Sequence, residues 1–454
     1  MAAARRSALF FVPIWPEVTG SAAGVRTDRL VRAFRDWGFR VAVACAVPPG
    51  NRTDPKRLEA YGTKTIVLPL NDADALRGAL EATEPDVAIF DRFYSEEQFS
   101  HGVRKLRPST LRILDMQDSH ALRLSRQRCV LNEGGSIAAA TRAFPTAFDA
   151  THSREVAAIL RSDLTFACSP VELTWLRDEC NVPATKLALA PLFYDADGAD
   201  SRTPAFGVRT GFLSLGTFRH PPNVDATHFL VRDVWPRVRA ALPAAQLSLI
   251  GSHPTKEVMA LHAPHDGVHV KGYVSNERLR KLLRLSRVLI APLRFGAGLK
   301  GKVLEAWSHG TPVVTTPIGA EGMVDPRGAR YNPHYGLNHH DHCDVDDVPA
   351  WGGLHRATDA PGIAADAVRL HSDRSLWASC RGVARRLCTT LFDETRVLDE
   401  LRMVVQIALA QITERRRSDY CGAALWHHRQ RSTELLAKYI ELKEATRGSE
   451  TRSK

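Results

Sequence analysis

One segment of the chain joins a glycine-rich turn to two lysines and a glutamate. Its residues of interest are Gly296, Ala297, Gly298, Lys300, Gly301, Lys302 and Glu305. An apolar run typical of a buried strand precedes the turn, and a helical pattern follows it. Backbone N–H groups at a helix N-terminus, with lysines beside them, suit a diphosphate, and a carboxylate one turn later can accept hydrogen bonds from ribose hydroxyls. The segment therefore predicts a site for a nucleoside diphosphate.

The same turn, from Gly296 to Gly301, also fits the G-x-G-x-x-G pattern of dinucleotide-binding folds. That pattern belongs after the first strand of its sheet, with an acidic residue at the end of the next strand. Here at least three predicted strands come first, and the next strand ends in Thr315 and Thr316. We therefore disfavour a nicotinamide-dependent oxidoreductase. Glycines that merely turn a strand into a helix are the structural alternative.

A second candidate anion site lies about 85 residues earlier, where Gly216 and Arg219 follow another apolar run. Gly216 lets the backbone approach a ligand closely, because it has no side chain. Arg219 offers a planar, forked set of donors that suits a phosphate. The structural alternative for Arg219 is a surface arginine beside a helix N-cap.

A third candidate site follows an apolar run in the first half of the chain. Leu111 to Met116 is typical of a buried strand, and Asp118 and His120 come soon after it. A carboxylate and an imidazole at the carboxyl end of a strand can deprotonate a hydroxyl acceptor or bind sugar hydroxyls. Each residue also has a structural alternative: Asp118 can be a helix N-cap, and His120 can be a packing residue.

The balance of charge favours an anionic partner. Lys and Arg number 61 against 50 Asp and Glu, which gives a formal net charge of +11. A phosphate-bearing substrate, an acidic ligand or an anionic membrane surface would suit this charge. The stretch from Val103 to Arg128 is rich in Arg and Lys, so we expect an acidic or lipid-phosphate acceptor; a solvated face is the alternative. Aromatic residues are not interleaved with the basic ones, which disfavours nucleic acid.

Several short clusters imitate metal sites without convincing spacing. They are the run His339 to Cys343 and the D-x-D pairs Asp195 with Asp197 and Asp344 with Asp346. The run has no second His or Cys cluster to complete a ligand set, and acidic pairs are common in loops. The 8 cysteines form no C-x-x-C pair, so their spacing supports neither a zinc ribbon nor a disulfide framework. We expect neither a metal nor a cofactor.

These candidate residues lie among elements that alternate between short apolar runs and helical stretches, as in parallel sheets with crossover helices. The predicted strands are Leu9 to Ile14, Arg40 to Ala46, Thr65 to Leu70, Asp86 to Asp91, Leu111 to Met116, Leu164 to Cys168, Leu187 to Ala190, Gly211 to Leu215, Gln246 to Ile250, Val268 to Lys271, Val288 to Pro292 and Pro312 to Thr316. Helices are predicted over Val25 to Trp37 and Asp72 to Ala82. The fold class is α/β, with two doubly wound parallel sheets.

The pattern also suggests domain limits in a chain of 454 residues, which is too long for one ordinary domain. We predict an acceptor-side domain over 1–195, a polar linker over 196–205 and a nucleotide-binding domain over 206–394. A long amphipathic helix at 395–417 carries Leu398, Leu401, Val405, Leu409 and Ile412. It should cross back to the first domain; a dimerising coiled coil is the rival. Residues 418–454 combine an amphipathic stripe, Leu435, Leu436, Tyr439 and Ile440, with a polar tail.

Together these segments resemble the nucleotide-sugar-binding half of retaining glycosyltransferases with the GT-B fold, the "glycosyl transferases group 1" family. The resemblance covers Gly211 to Met323 and includes Gly251, Gly272 and Gly319 to Gly322. It implies two Rossmann-like domains that face each other across a cleft. It also implies that this fold works without a metal.

The same resemblance implies roles for individual residues. Arg219 and one of Lys300 and Lys302 would hold the donor diphosphate, while Glu305 would hold the ribose. Many members have a glutamate where this chain has Ala297, and in the subgroup with the loop Arg-Phe-Gly-Ala-Gly backbone amides face the donor sugar instead. In the first domain, Gly20 to Gly24 follows the first strand, where the family's glycine loop approaches the reacting centre.

The resulting hypothesis is a glycosyltransferase that moves a sugar, most simply a hexose, from a nucleotide diphosphate sugar to an unknown hydroxyl acceptor with retention of configuration. The rival is a catalytically idle scaffold that binds a nucleotide sugar. No apolar stretch approaches the ~20 residues of a membrane-spanning helix, and the apolar N-terminus carries two prolines. We expect a cytoplasmic protein, with peripheral membrane contact through the Leu435 stripe as an option.

Overall fold

The computed structural model describes residues 5–18, 20–50, 55–194, 203–323, 331–332, 336–337 and 351–427. Most of the predicted linker, the run from His339 to Cys343, both D-x-D pairs and the Leu435 stripe therefore lie outside the described residues. The described residues form two parallel sheets flanked by helices, which confirms the predicted fold class.

The first sheet is built from the first half of the chain. Its strands are β1 (Ser7–Val12), β2 (Arg40–Cys45), β3 (Lys64–Val67), β4 (Val87–Asp91), β5 (Leu111–Asp115), β6 (Leu164–Ala167) and β7 (Leu187–Leu189). All are parallel, in the order β3-β2-β1-β4-β5-β6-β7. Successive residues of β1 contribute to opposite cores, with Phe10 on one face and Phe11 on the other, because side chains alternate along a strand.

The second sheet repeats this arrangement. Its strands are β8 (Thr210–Leu215), β9 (Leu247–Ile250), β10 (Val268–Gly272), β11 (Ser286–Ala291), β12 (Val313–Thr315) and, after the two-residue strands β13 (Tyr331–Asn332) and β14 (Gly336–Leu337), β15 (Gly353–Leu354). The order in the sheet is β10-β9-β8-β11-β12-β15. All twelve predicted strands are present. The strands β13, β14 and β15 are not predicted, because two residues are too few to show a period.

Helices cover both sheets. They are α1 (Ala22–Asp36), α2 (Lys56–Glu59), α3 (Ala73–Thr83), α4 (Phe93–Leu106), α5 (His120–Leu131), α6 (Ile137–Thr141), α7 (Ala150–Arg161), α8 (Pro170–Asp178), α9 (Pro221–Phe229), α10 (Trp235–Ala241), α11 (Lys256–Met259), α12 (Asn276–Leu285), α13 (Gly301–Ser308), α14 (Pro317–Ala320), α15 (Ala360–Ser372), α16 (Arg374–Thr390) and α17 (Glu394–Arg417). Helix α1 begins three residues before its predicted start, because the Ser21 hydroxyl accepts the Gly24 N–H and caps it.

The chain passes between the two domains twice, and the two crossings touch. The Tyr194 N–H donates to the Phe392 carbonyl at 2.8 Å, and the Glu394 N–H donates to the Tyr194 carbonyl at 3.2 Å. Helix α17 then returns to the first domain. Its Val397, Leu401, Val405 and Ala408 side chains are buried in the same core as Phe10. The apolar face of α17 is thus buried within its own chain, as predicted, and the coiled-coil alternative is wrong.

None of the helices in the described part of the chain is both long and apolar enough to cross a membrane.

Candidate functional site: a cleft between the two domains

A cavity of about 850 Å³ lies between the carboxyl ends of the two sheets. In open parallel sheets this edge is where ligands bind, because the helix N-termini that follow the strands point towards it. The loop after β1, the loop after β5 and the start of α5 line it from the first domain. The loops after β8, β9, β10 and β11 and the start of α13 line it from the second domain.

Close backbone contact explains the glycines of the turn from Gly296 to Gly301, called the donor loop below. Gly298 has φ +64°, and a Cβ on it would lie 2.8 Å from the Asp118 Cβ. A Cβ on Gly301 would lie 2.7 Å from the Ala22 Cβ, so the N-termini of α13 and α1 meet across the cleft. Glycine is therefore required at both positions for the two domains to approach.

Lys302 lines the cavity, and Asn223 orients its ammonium group. Its Nζ donates to the Asn223 Oδ1 at 2.6 Å, and Asn223 in turn donates to the Thr217 carbonyl at 2.9 Å. A Cβ on Gly216 would lie 2.7 Å from the Asn223 side chain, so Gly216 leaves room for this link. Burial, together with the neighbouring Lys300, lowers the pKa of Lys302 to about 7. An anion placed here would restore its charge.

Lys300 also lines the cavity, but its ammonium group is used within the loop. It donates to the Ala297 carbonyl at 3.1 Å and to the Gly298 carbonyl at 2.5 Å. Burial lowers the pKa of Lys300, while Glu321 opposes the shift. Its side chain therefore fixes the shape of the donor loop.

Glu305 lies one turn into α13 and lines the cavity, as the sequence predicted. Burial raises the pKa of its carboxyl, and two arginines lower it, Arg29 from the first domain and Arg280 from the second. A carboxylate in such a position accepts hydrogen bonds from hydroxyl groups. The Tyr194 side chain at the domain crossing lines the same end of the cavity.

Arg219 is not among the residues that line the cavity. Its side chain is exposed, and its neighbours Thr217 and His220 line the cleft instead. This geometry favours the surface alternative for Arg219 and does not support its diphosphate role.

The two glycines of the first-domain loop have different surroundings. Gly20 lines the cavity, and its carbonyl accepts a long hydrogen bond, 3.4 Å, from the Ser252 hydroxyl of the second domain. Gly24 does not line the cavity, in contrast to the expectation. A Cβ on Gly24 would lie 2.5 Å from the Glu17 carbonyl oxygen, so this glycine serves the packing of α1 against the preceding loop.

Asp118 and His120 both line the cleft opposite the donor loop. The N-cap of α5 is Ser119, whose hydroxyl accepts the Leu122 N–H, so the N-cap alternative for Asp118 is wrong. Asp118 instead forms an ion pair with Arg123, and its Oδ1 lies 3.7 Å from the His120 Nε2. Burial by itself would raise the pKa of Asp118, but Arg123 and His120 hold it well below its usual range.

The imidazole of His120 is neutral near pH 7. Burial lowers its pKa to about 4, although Asp118 opposes the shift. The ring packs edge-on against Phe93, with centroids 5.5 Å apart. Glu155 on α7 accepts the backbone N–H of His120 at 2.6 Å, which fixes the start of α5. His120 is therefore positioned as a neutral hydrogen-bonding group.

Two residues that the sequence analysis does not single out have strained backbone conformations on the first-domain side of the cleft. Arg92 and Gln117 follow β4 and β5 and have φ +70° and +63°. Both line the cavity, and Gln117 donates to Asp91 and Asp115 at 3.2 Å each. Non-glycine residues with positive φ concentrate at functional sites, where the surrounding structure holds them. No residue pattern signals this feature in advance.

First-domain residues also hold the donor loop. Arg126 donates to the Gly296 carbonyl at 2.9 Å and pairs with Glu321 at 2.7 Å. The Gly298 N–H donates to the Glu172 carboxylate at 2.6 Å. The expectation that backbone amides of this loop face the donor sugar is therefore wrong for Gly298, because a buried carboxyl of the other domain takes its N–H.

Most of the basic stretch from Val103 to Arg128 lies away from this cavity. Of its arginines and lysines, Arg123 alone lines the cavity described here. Others are engaged elsewhere, Arg112 with Asp163 at 2.9 Å and Arg126 with Glu321. A different group of arginines lines the first-domain wall of the cleft, namely Arg26, Arg29, Arg32, Arg57 and Arg92.

In the described part of the chain, no three His, Cys, Asp or Glu residues are arranged to hold a metal ion.

Residues 209–333 match a family model described as Glycosyl transferases group 1. No curated protein matches the chain. Similar solved structures include a sucrose-phosphate synthase from Thermosynechococcus elongatus, with a TM-score of 0.65 and 16% identity over 89% of this chain and 100% of that chain.

Two further similar structures contain ligands. HepE of Anabaena, in complex with UDP and glucose, has a TM-score of 0.62 and 12% identity over 88% of this chain and 99% of that chain. A TarM mutant of S. aureus, in complex with UDP, alpha-GlcNAc-glycerol and fondaparinux, has a TM-score of 0.62 and 9% identity over 88% of this chain and 99% of that chain. The chain therefore has the GT-B glycosyltransferase fold, and its second domain carries a segment that matches the group 1 glycosyl transferases.

Proposed function

We propose that the chain is a glycosyltransferase that moves a sugar, a hexose in the simplest case, from a nucleotide diphosphate sugar to a hydroxyl acceptor. One observation carries the proposal: Lys302 and Glu305 lie on one face of α13 and both line the interdomain cavity. A cation at the start of the helix and a carboxylate one turn later match a diphosphate and the ribose beside it.

The donor would lie along the second-domain wall. Its ribose hydroxyls would donate to Glu305, and its diphosphate would meet Lys302 and the N-terminus of α13. The base would then lie by Tyr273 and Val274, which line the cavity after β10. UDP is the first nucleotide to test, because two similar structures contain it.

The chemical task is the departure of the nucleoside diphosphate. Charge grows on the diphosphate as the bond to the sugar breaks, so cationic donors fixed in advance lower the barrier. Lys302 is such a donor, because Asn223 already orients its ammonium group. The proposed reaction uses these protein groups and no metal ion.

The acceptor would enter between Asp118, His120 and Arg92. Neutral His120 and ionised Asp118 can bind hydroxyls and orient the attacking oxygen. With retention of configuration, which we include in the proposal, the acceptor attacks on the face that the diphosphate leaves, and its proton passes to the departing phosphate oxygen. An acidic or lipid-linked acceptor, and with it a cytoplasmic enzyme at a membrane surface, remains an expectation.

The rival is a scaffold that binds a nucleotide sugar and does no chemistry. The exposed position of Arg219 favours this rival, because one expected contact to the diphosphate is missing. The positioned Lys302 and the strained backbones of Arg92 and Gln117 on the first-domain side of the cleft favour the enzyme.

A two-stage experiment separates the two. Thermal-shift screening with UDP, GDP and ADP sugars should identify the donor, because a ligand at 100 times its Kd stabilises by about 2.7 kcal/mol. Release of the nucleoside diphosphate, by transfer or slow hydrolysis, is then measured for that donor. Binding without release would favour the scaffold, and a lack of binding to every nucleotide sugar would overturn the proposal.

A further inference from the structure

His220 occupies a fixed position on the second-domain wall of the cleft, in the loop between β8 and α9. Its backbone N–H donates to the Thr217 carbonyl at 3.3 Å, and its carbonyl accepts the Asn223 N–H at 2.9 Å. The side chain lines the cavity, whereas that of the adjacent Arg219 is exposed. The same loop thus presents an imidazole, and not a guanidinium, to the space beside Lys302.

The groups around His220 come from both domains. Arg123 on α5 and Asp118 just before that helix act on the charge of the imidazole from the first domain, and Lys302 and Lys300 act on it from the start of α13. Three of these four groups are cations in their charged forms. Burial, and then Arg123, lower the pKa of His220 to about 4, although Asp118 opposes the shift. The imidazole is therefore neutral in the empty cleft at pH 7.

In the empty cleft, His220 and Lys302 are not fully protonated near neutral pH. His220 is neutral, and the pKa of Lys302 is about 7, because like charges and burial disfavour the protonated forms. An anion with two negative charges between these groups reverses that balance, since each proton taken up then gains an attractive partner. The space between His220 and Lys302 therefore suits an anion that binds, gains negative charge during a reaction and then dissociates.

We propose that His220 contacts the leaving diphosphate and takes up one proton from solvent when the diphosphate binds. This inference rests on the proposed function and adds a residue to it. The imidazolium N–H donates to a phosphate oxygen beside the Lys302 ammonium group. As the sugar–oxygen bond breaks, its electron pair stays on the phosphate oxygen, and the acceptor's proton moves to that diphosphate. His220 returns its own proton to solvent when the product leaves.

Calorimetry tests this protonation directly. The nucleoside diphosphate that binds best among UDP, GDP and ADP is titrated at pH 7.5 into wild-type protein, His220→Gln and His265→Gln, in buffers of different ionisation enthalpy. His265 is an exposed histidine of the same domain, so His265→Gln is the matched control. We expect net proton uptake per bound nucleotide to fall by up to about one in His220→Gln and to stay unchanged in the control.

The nucleotide's own proton exchange contributes equally to all three titrations, so the difference reports on His220 and the charged groups that face it. Equal uptake by wild type and His220→Gln, with nucleotide still bound, overturns the inference and leaves the proposed function intact. No binding of any nucleotide to wild type overturns the proposed function itself.

Turnover gives a second readout. With the donor identified, kcat of His220→Gln should fall on the order of 100-fold, the range for loss of one donor to a developing negative charge. If His220→Gln does not fold, His220→Asn replaces it, because His220 is the N-cap of α9 and Asn is a favoured N-cap residue. An unchanged kcat in a folded variant, with an unchanged proton uptake, contradicts the inference.

Discussion

The Glu172 carboxylate of the first domain accepts the backbone N–H of Gly298 in the donor loop of the second domain at 2.6 Å. Glu172 is fully buried, and burial raises the pKa of its carboxyl to about 8. Nearby Asp118 adds to this shift. The loop that would hold the donor sugar is thus fixed by a carboxyl that is protonated near neutral pH and belongs to the other domain.

This contact predicts a pH dependence of stability. A carboxyl whose pKa is higher in the folded state than in the unfolded state binds more protons when folded, so it reduces stability as pH rises from about 5 to 8. Glu172→Gln keeps an acceptor for the Gly298 N–H and removes the titration. Melting temperatures measured across this range should fall less steeply for Glu172→Gln than for wild type. Parallel curves would show that Glu172 does not titrate there.

Lys302 and Arg219 should differ in their effect on catalysis. Lys302→Met should lower kcat on the order of 100-fold or more, because its oriented ammonium group meets charge that grows in the transition state. Arg219→Ala should have a much smaller effect, since Arg219 is exposed and does not line the cavity. Steady-state kinetics on both variants decide the matter. An equal loss in both would restore Arg219 to the diphosphate site.

Glu305 should be required for ribose binding. Glu305→Ala should weaken nucleotide binding by about 1.5–3 kcal/mol, the range for hydrogen bonds to a charged group. Glu277→Ala, an exposed change on α12, is the control. Calorimetry with the nucleotide and its 2′,3′-dideoxy analogue sharpens the test: wild type should lose affinity for the analogue, while Glu305→Ala should bind both equally. Discrimination that survives in Glu305→Ala would assign the ribose to another residue.

The parts of this site that were predictable from the sequence are contiguous in the chain. The donor loop, Lys302 and Glu305 lie within ten residues, so a strand, a turn and a helix suffice to place them. The contacts of Glu172 and Arg126 with that loop join residues 126 and 170 positions apart, and no local pattern encodes them.

The choice between Arg219 and His220 shows a different limit. Both residues are in one short loop, and the charge of arginine made it the obvious phosphate ligand. The turn after β8 decides which side chain enters the cleft, and that turn depends on the link from Asn223 to the Thr217 carbonyl. Residue type alone therefore indicates which loop lies at the cleft, but it does not indicate which side chain of that loop enters the cleft.

Chelation should leave turnover unchanged. The proposed reaction meets the charge of the diphosphate with Lys302 and the α13 N-terminus, and Asp118 at the opposite wall is already paired with Arg123. We expect initial rates in excess EDTA to equal those in excess Mg²⁺. A loss of activity in EDTA that Mg²⁺ or Mn²⁺ restores would contradict the metal-independent reaction.

Helix α17 should stabilise the first domain although it follows the second domain in the chain. Leu401 is 1% exposed, and it packs in the first-domain core with Val405 and Phe10. Leu401→Ala should therefore cost about 2–5 kcal/mol, the range for deleting a buried leucine side chain. Met403 is 56% exposed on the same helix, so Met403→Ala should stay within about 0.5 kcal/mol of wild type.

Thermal unfolding with and without a bound nucleotide checks this last prediction. The α17 core belongs to the first domain and the proposed nucleotide site to the second, and α17 begins at the crossing where Tyr194 and Glu394 are hydrogen-bonded. Leu401→Ala should lower the melting temperature of the first domain and leave nucleotide affinity of the folded protein close to wild type. Equal, small effects of Leu401→Ala and Met403→Ala would show that α17 does not support the first domain.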